Sequence, residues 1–227
     1  MCCFVFQHML NEVLFLLVMA LSLGTVLVFA SFGRSWLVAL PPFFLVIANI
    51  FAPQISTVFG ITTGLALPLY AAIFLATDIV AEHWGKKEAT KVVWLGLASQ
   101  VCLVVFSQIL LRADVTAFSQ PLQAALQTLF AFTPRIVLGS VIAYIISQHF
   151  DVWAFHRLKH RFNSKHLWLR NNMSTVCSQL IDSTIFITIA FYGVLPVVPF
   201  ILSVWLLKTF VAVMDTPFIY LSYRLVR

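Results

Sequence analysis

Seven apolar runs, each close to the length of one membrane crossing, limit what this chain can fold into. They fall at about 10–32, 36–55, 64–83, 91–111, 121–149, 170–192 and 197–222. A helix needs about 20 mostly apolar residues to span a bilayer. The chain is 61% hydrophobic and only 10% charged, whereas a soluble domain carries about 25% charged residues. No soluble fold of 227 residues could bury that much apolar surface. The fold class is therefore an all-α polytopic membrane protein, a bundle of about seven transmembrane helices. No polar run is long enough for a separate soluble domain, so residues 1–227 are expected to form one transmembrane unit.

Two runs are irregular. The second is short and contains Pro41, Pro42, Asn49 and Pro53, so a re-entrant path competes with a full crossing. The fifth is long. Its start after Ser119 and Pro121 reads as an amphipathic surface turn, and Pro134 is expected to kink it.

The net charge of +6 could suggest nucleic acid, but its placement says otherwise. If the seven runs alternate, Arg34, Lys86, Lys87, Lys91, the basic loop from Arg157 to Arg170, Arg224 and Arg227 share one side. The other side holds only Arg112. The positive-inside rule makes the crowded side cytoplasmic. The C-terminus is then inside and the N-terminus outside, in a multi-pass protein of the cell membrane, the inner membrane in a bacterium. Lipid is the expected surrounding and nucleic acid is not an expected partner. Trp36, Trp84, Trp94, Trp153 and Trp168 lie near run ends, as an interfacial belt requires. The N-terminus lacks a basic region and cleavage site, so the first helix is read as retained. Cys2, Cys3, Cys102 and Cys177 have neither metal nor disulfide spacing; Cys2 and Cys3 are placed for lipidation but read more simply as free thiols.

Function is read from the polar groups that interrupt the apolar runs. Asp78, Arg135, Asp182, Lys208 and Asp215 all fall inside runs, joined by Asn49, Gln100, Asn172 and Gln179. Charges at that depth are costly and usually face the bundle interior in pairs. One reading is structural: Arg135 with Asp182, and Lys208 with Asp215 or Asp78, would tie helices together. Five charges with several amides exceed what packing needs, because small residues suffice to hold membrane helices. A central cavity is the alternative. Enzymatic motifs are absent: there is no HExxH, GxSxG, P-loop or GxGxxG, so no catalytic residue, metal or cofactor is expected. The six histidines lie at run ends or in loops, which argues against haem. A carboxylate with amides suits a planar nitrogen heterocycle, because it accepts paired N–H bonds and amides offer a donor beside an acceptor.

The segment Ala76-Thr-Asp-Ile-Val-Ala-Glu-His-Trp-Gly-Lys-Lys-Glu-Ala-Thr-Lys-Val-Val-Trp94 resembles the signature of the queuosine precursor transporter family, also called VUT. Arg135 to Val152, Leu167 to Asp182 running on to Phe191, and Lys208 with Thr216-Pro217 resemble the same family, in the same order. The resemblance implies import of 7-deazaguanine bases, such as 7-cyano-7-deazaguanine, 7-aminomethyl-7-deazaguanine or queuine, for tRNA modification. It implies a six-helix core over 34–224, similar to the substrate-binding components of energy-coupling factor transporters, with 1–33 as an added helix. Asp78, Arg135, Gln179, Asp182 and Lys208 carry over as motif matches, and Glu82 more loosely. Asp182 with Gln179 is expected to read the amino-pyrimidinone edge, with Arg135 and Lys208 holding the carboxylates and Asn49 in the binding set. Asp78 is expected toward the cytoplasmic exit, where it or Glu82 could exchange a proton. Rival readings are a binding subunit that needs an ATP-driven partner, and a non-transporting membrane anchor. Self-association is left open.

Overall fold

Helical stretches long enough to cross a bilayer alternate in direction along the chain. The computed structural model describes residues 2–51, 54–131, 134–163, 165–193 and 196–226, with side chains for 10–51, 54–130, 138–163, 165–193 and 196–226. The helices are α1 (Cys2–Ser31), α2 (Arg34–Phe51), α3 (Leu67–Trp84), α4 (Lys86–Leu110), α5 (Gln120–Ala131), α6 (Pro134–Arg161), α7 (Leu167–Phe191) and α8 (Val197–Leu225). A two-stranded antiparallel hairpin, β1 (Ile55–Val58) and β2 (Ile61–Gly64), joins α2 to α3.

Contacts fix the two ends of the bundle. Asn11 Nδ2 donates to Ser56 Oγ at 2.8 Å and the Phe15 ring meets Phe59 edge to face, so α1 begins beside the hairpin. At the opposite end, Arg34 lies 4.0 Å from Glu88, and His83 bonds Ser222 Oγ at 2.9 Å. This second end also carries Lys86, Lys87, Lys159 and Arg224 and is called the basic end below. A single residue, Gly85, links α3 to α4 there. Its φ of +85° is a conformation that L side chains rarely adopt, so glycine is what permits so tight a reversal.

One expectation falls outside the described residues and another needs correction. The run at 121–149 holds α5 up to Ala131 and α6 from Pro134, and residues 132 and 133, where the expected kink falls, lie outside the described residues. At about 1.5 Å per residue, the 12 residues of α5 reach about 18 Å, too short to cross. The second run stops at Phe51, short of 55, and keeps Pro41 and Pro42 within 18 helical residues. The hairpin beyond it was not foreseen. Its turn places Phe59 at φ +50° and Gly60 at φ +74°, the paired positive values of a type I′ turn.

Among the described residues, five helices are long and apolar enough to cross a membrane by length and composition alone: α1 from Leu10, α2, α4, α7 and α8. The other long helices, α3 and α6, carry acids, and those acids are covered by protein. Of the 18 residues of α3, 13 are buried, which makes it the bundle's central helix. Leu75, Ile79 and Val80 of α3 join Leu37, Leu45, Val92 and Phe155 in the main apolar core. The most extensive helix pair is α6 with α7.

Candidate functional site

The polar side chains inside the bundle fall into three tiers, stacked along α7. That helix buries Arg170, Asn171, Ser174, Thr175, Ser178, Gln179 and Ser183. Their spacing of three and four places them on one face, so α7 presents a polar stripe to its neighbours.

The first tier lines a cavity of about 750 Å³ near the hairpin end. Its wall comes from the ends of α2, α4, α6, α7 and α8 nearest the hairpin, Leu129 and Phe130 of α5, the start of α3, and the hairpin itself. Within it, Lys208 Nζ donates to Asp182 Oδ2 at 2.6 Å, and Ser147 Oγ donates to Asp182 Oδ1 at 3.1 Å. Asn49 Oδ1 accepts from Tyr70 Oη at 3.0 Å and from Ser140 Oγ at 3.3 Å. Gln100 Nε2 donates to Ser140 Oγ at 3.4 Å. Ser183 Oγ and Thr63 Oγ1 line the same space, buried and without a partner among the described residues.

The second tier lies below the cavity and is closed. Asp78 of α3, Asp151 of α6 and Asp215 of α8 are each at most 1% exposed. Each accepts a hydrogen bond from a neutral donor. Thr175 Oγ1 donates to Asp78 at 3.2 Å, Ser178 Oγ to Asp151 at 2.9 Å, and Asn171 Nδ2 to Asp215 at 3.4 Å. All three donors belong to the α7 stripe. The third tier closes the basic end. Arg170 donates to both oxygens of Glu82 at 2.8 Å, Lys159 Nζ donates to Glu82 Oε2 at 2.9 Å, and the Tyr223 hydroxyl donates to Oε1. Four helices, α3, α6, α7 and α8, meet on this one carboxylate.

The expected site residues are thus distributed. Asp182, Lys208 and Asn49 line the cavity. Gln179 is buried one turn along α7, off the cavity wall, with Oε1 unpartnered among the described residues. Asp78 sits in the closed tier and Glu82 in the clamp. The Arg135 side chain lies outside the described residues. The pairing of Lys208 with Asp215 or Asp78 is corrected: its partner is Asp182. Among the described residues no group of three His, Cys, Asp or Glu is placed to hold a metal ion.

Several site residues were missed. Asp151 was read as lying past a helix end at 149, but α6 runs on to Arg161 and buries it. Arg170 counted as a loop cation, yet it is fully buried. Tyr70, Ser140 and Ser147 offered no signal, being ordinary polar residues in membrane helices. Only the four-residue repeat along α7 could have shown that a polar face runs the length of the bundle.

A family described as "Putative vitamin uptake transporter" matches residues 65–222. A "Probable queuosine precursor transporter" of Bacillus subtilis is 36% identical over 204 residues, covering 88% of this chain and 89% of its own. A protein of the same name from Haemophilus influenzae is 31% identical over 53% of this chain and 48% of its own. The "Queuosine precursor transporter" of Escherichia coli is 29% identical over 53% of this chain and 51% of its own. No solved structure matches. The match spans α3 to α8, and with them the cavity pair, the buried acids and the clamp, and it establishes that the chain belongs to the vitamin uptake transporter family.

Proposed function

We propose that this chain imports 7-deazaguanine bases, the precursors of queuosine or queuine itself, across the cell membrane, and that Asp182 reads the base. The observation that carries the reading is the cavity. Its volume of about 750 Å³ lies within the range of small-molecule sites, about 300–1,000 Å³. Among the described residues its wall holds one carboxylate, beside an ammonium at 2.6 Å. An ionised carboxyl group offers about four acceptor positions, and Asp182 has given two of them to Lys208 and Ser147. The remainder suit the paired N–H groups of an amino-pyrimidinone edge. Lys208 keeps donors for the carbonyl oxygen beside them.

The positive-inside rule makes the basic end cytoplasmic, so the cavity faces outward and the C-terminus lies inside. Release then requires opening of the Glu82 clamp. The polar stripe of α7 offers successive partners on the way, first Gln179 with its unpartnered Oε1, then the Asp78 tier. In this proposal Asp78 is the proton-exchanging group on the exit path and Glu82 is the closing contact. Residues 34–224 form the transporting core and α1 packs against α3 and α8 as an addition.

A rescue assay tests the proposal. The chain is expressed in a bacterium that can neither make nor import queuosine precursors, each base is supplied, and queuosine is measured in tRNA. Queuosine is expected with the wild-type chain and at background with Asp182→Asn. No queuosine from a well-expressed wild-type chain with any base would overturn it.

A further inference from the structure

We infer that Asp78 and Asp151 share a proton in the closed tier, and that inward movement of the base is coupled to protons carried there. The inference rests on the base-importing reading above and adds what drives the import, with Asp151 as the new participant. The two carboxyl groups, on α3 and α6, lie within hydrogen-bonding reach of each other. Asp151 is fully buried and Asp78 is 1% exposed. Ionised carboxyl groups only accept, so no hydrogen bond joins the two unless one carries a proton. The donors at this level fall short of its acceptors. Among the described residues Asp78 Oδ1 and Asp151 Oδ2 have no donor. Asn171, fully buried, turns its amide to the tier by donating Nδ2 to Asp215, and its Oδ1 has no donor either. Gln179 Oε1, one residue past the Ser178 that bonds Asp151, is a further acceptor in the same position. What the tier lacks is hydrogen, and a carboxyl proton supplies it.

Charge leads to the same conclusion. Three ionised carboxylates with no cation among them would be far too costly at this depth. Among the described residues the charged groups of the surrounding helices are engaged elsewhere. Lys208, seven residues before Asp215 on α8, bonds Asp182. Arg170, Lys159 and Tyr223 bond Glu82, one turn beyond Asp78 on α3. His83 bonds Ser222, and His156 lies more than a turn past Asp151 toward the basic end. Glu12 of α1 lies at the hairpin end, and Arg34 of α2 with Glu88 and Lys91 of α4 at the basic end. On the cavity side, Ser183 of the wall and Gln179 one turn below it lead to the tier. On the other side the Glu82 clamp closes it. A proton enters from the outer water by way of the cavity, binds one carboxylate oxygen, and passes to cytoplasmic water once the clamp opens. Only O–H bonds form and break, and the carboxylate left behind takes the next proton.

Infrared and transport measurements on the purified full-length chain in liposomes test this. At neutral pH the wild-type chain should show the C=O stretch of a protonated carboxyl group, and the band should change in both Asp78→Asn and Asp151→Asn. With the membrane potential held at zero, a gradient of about one pH unit, acid outside, is worth about a tenfold ratio for each proton coupled. Labelled 7-cyano-7-deazaguanine or 7-deazaguanine should then accumulate by up to about that factor, and adding the base should acidify the lumen. In Asp151→Asn both the accumulation and the acidification should fall to background. Absence of the band in the wild-type chain overturns the shared proton without any variant. An unchanged band or unchanged acidification in a folded Asp151→Asn chain removes Asp151 from the pair and overturns it too. Wild-type uptake that only equalises the base across the membrane, whatever the gradient, overturns the coupling and leaves the base reading standing. No uptake of either base by a folded chain overturns the base reading, and the coupling falls with it.

Discussion

Lys208 donates to Asp182 with both side chains largely covered, 11% and 15% exposed, so this pair ties recognition to stability. Removing one partner of a buried pair leaves an uncompensated charge, typically at a cost of about 3–5 kcal/mol. Asp182→Asn should lower the stability of the detergent-solubilised chain by that order, read from thermal unfolding. Asp182→Asn with Lys208→Met should recover most of the loss, because neither charge then remains. Base uptake should stay at least about tenfold below wild type in both, as expected when a charged hydrogen bond worth about 1.5–3 kcal/mol is removed. A double variant that transports normally would make the pair purely structural. The depth of Asp182 within its apolar run was legible in the sequence, and so was that of Lys208. Their pairing was not, because partner choice depends on how α7 and α8 rotate against each other, and spacing along one chain does not fix that. For the same reason Asp78 and Asp215, expected to need cations, instead take Thr175 and Asn171.

Among the elements, α3 and α7 carry the account. Glu82 at the end of α3 is held by Arg170, Lys159 and Tyr223, so Glu82→Gln should loosen the basic end. The test is labelling of Ser178→Cys with a membrane-impermeant thiol reagent from that end. Cys2, Cys3, Cys102 and Cys177 are first replaced by serine, since Cys102 and Cys177 are exposed. Labelling should be slow with Glu82 intact and at least about tenfold faster in Glu82→Gln; equal rates would remove the clamp from the mechanism. A second element test concerns the crossing of α4 and α6. A Cβ added at Gly96 would collide with the Tyr144 hydroxyl, and Tyr144 lines the cavity. Gly96→Ala should cost about 1–3 kcal/mol in unfolding measurements, as overpacking does, and should weaken base binding by turning that ring. The helices themselves were legible from apolar runs about 20 residues long. The hairpin was not, because its turn is Phe59-Gly60, and no Asn-Gly or Asp-Gly pair announces a type I′ turn there.

At the scale of the molecule, a cavity near the hairpin end, a closed acid tier and a clamped basic end describe a transporter in a single state. The basic residues gather at one end, and this was plain in the sequence, because loop charge is readable without any packing. What the sequence could not give was the division of the polar set into three levels, which only the packing of α7 reveals. Reporter fusions should place the C-terminus in the cytoplasm and the N-terminus outside, in line with the positive-inside rule; the reverse arrangement would turn the cavity inward. The central claim is that this one chain carries the base, and that the base passes Asp182. The most direct measurement is uptake of a labelled 7-deazaguanine base into liposomes containing only the purified chain. Time-dependent uptake by the wild-type chain, with background uptake by Asp182→Asn, is the predicted result. Uptake that appears only when ATPase subunits are added, or that is equal in the Asp182→Asn chain, would contradict it.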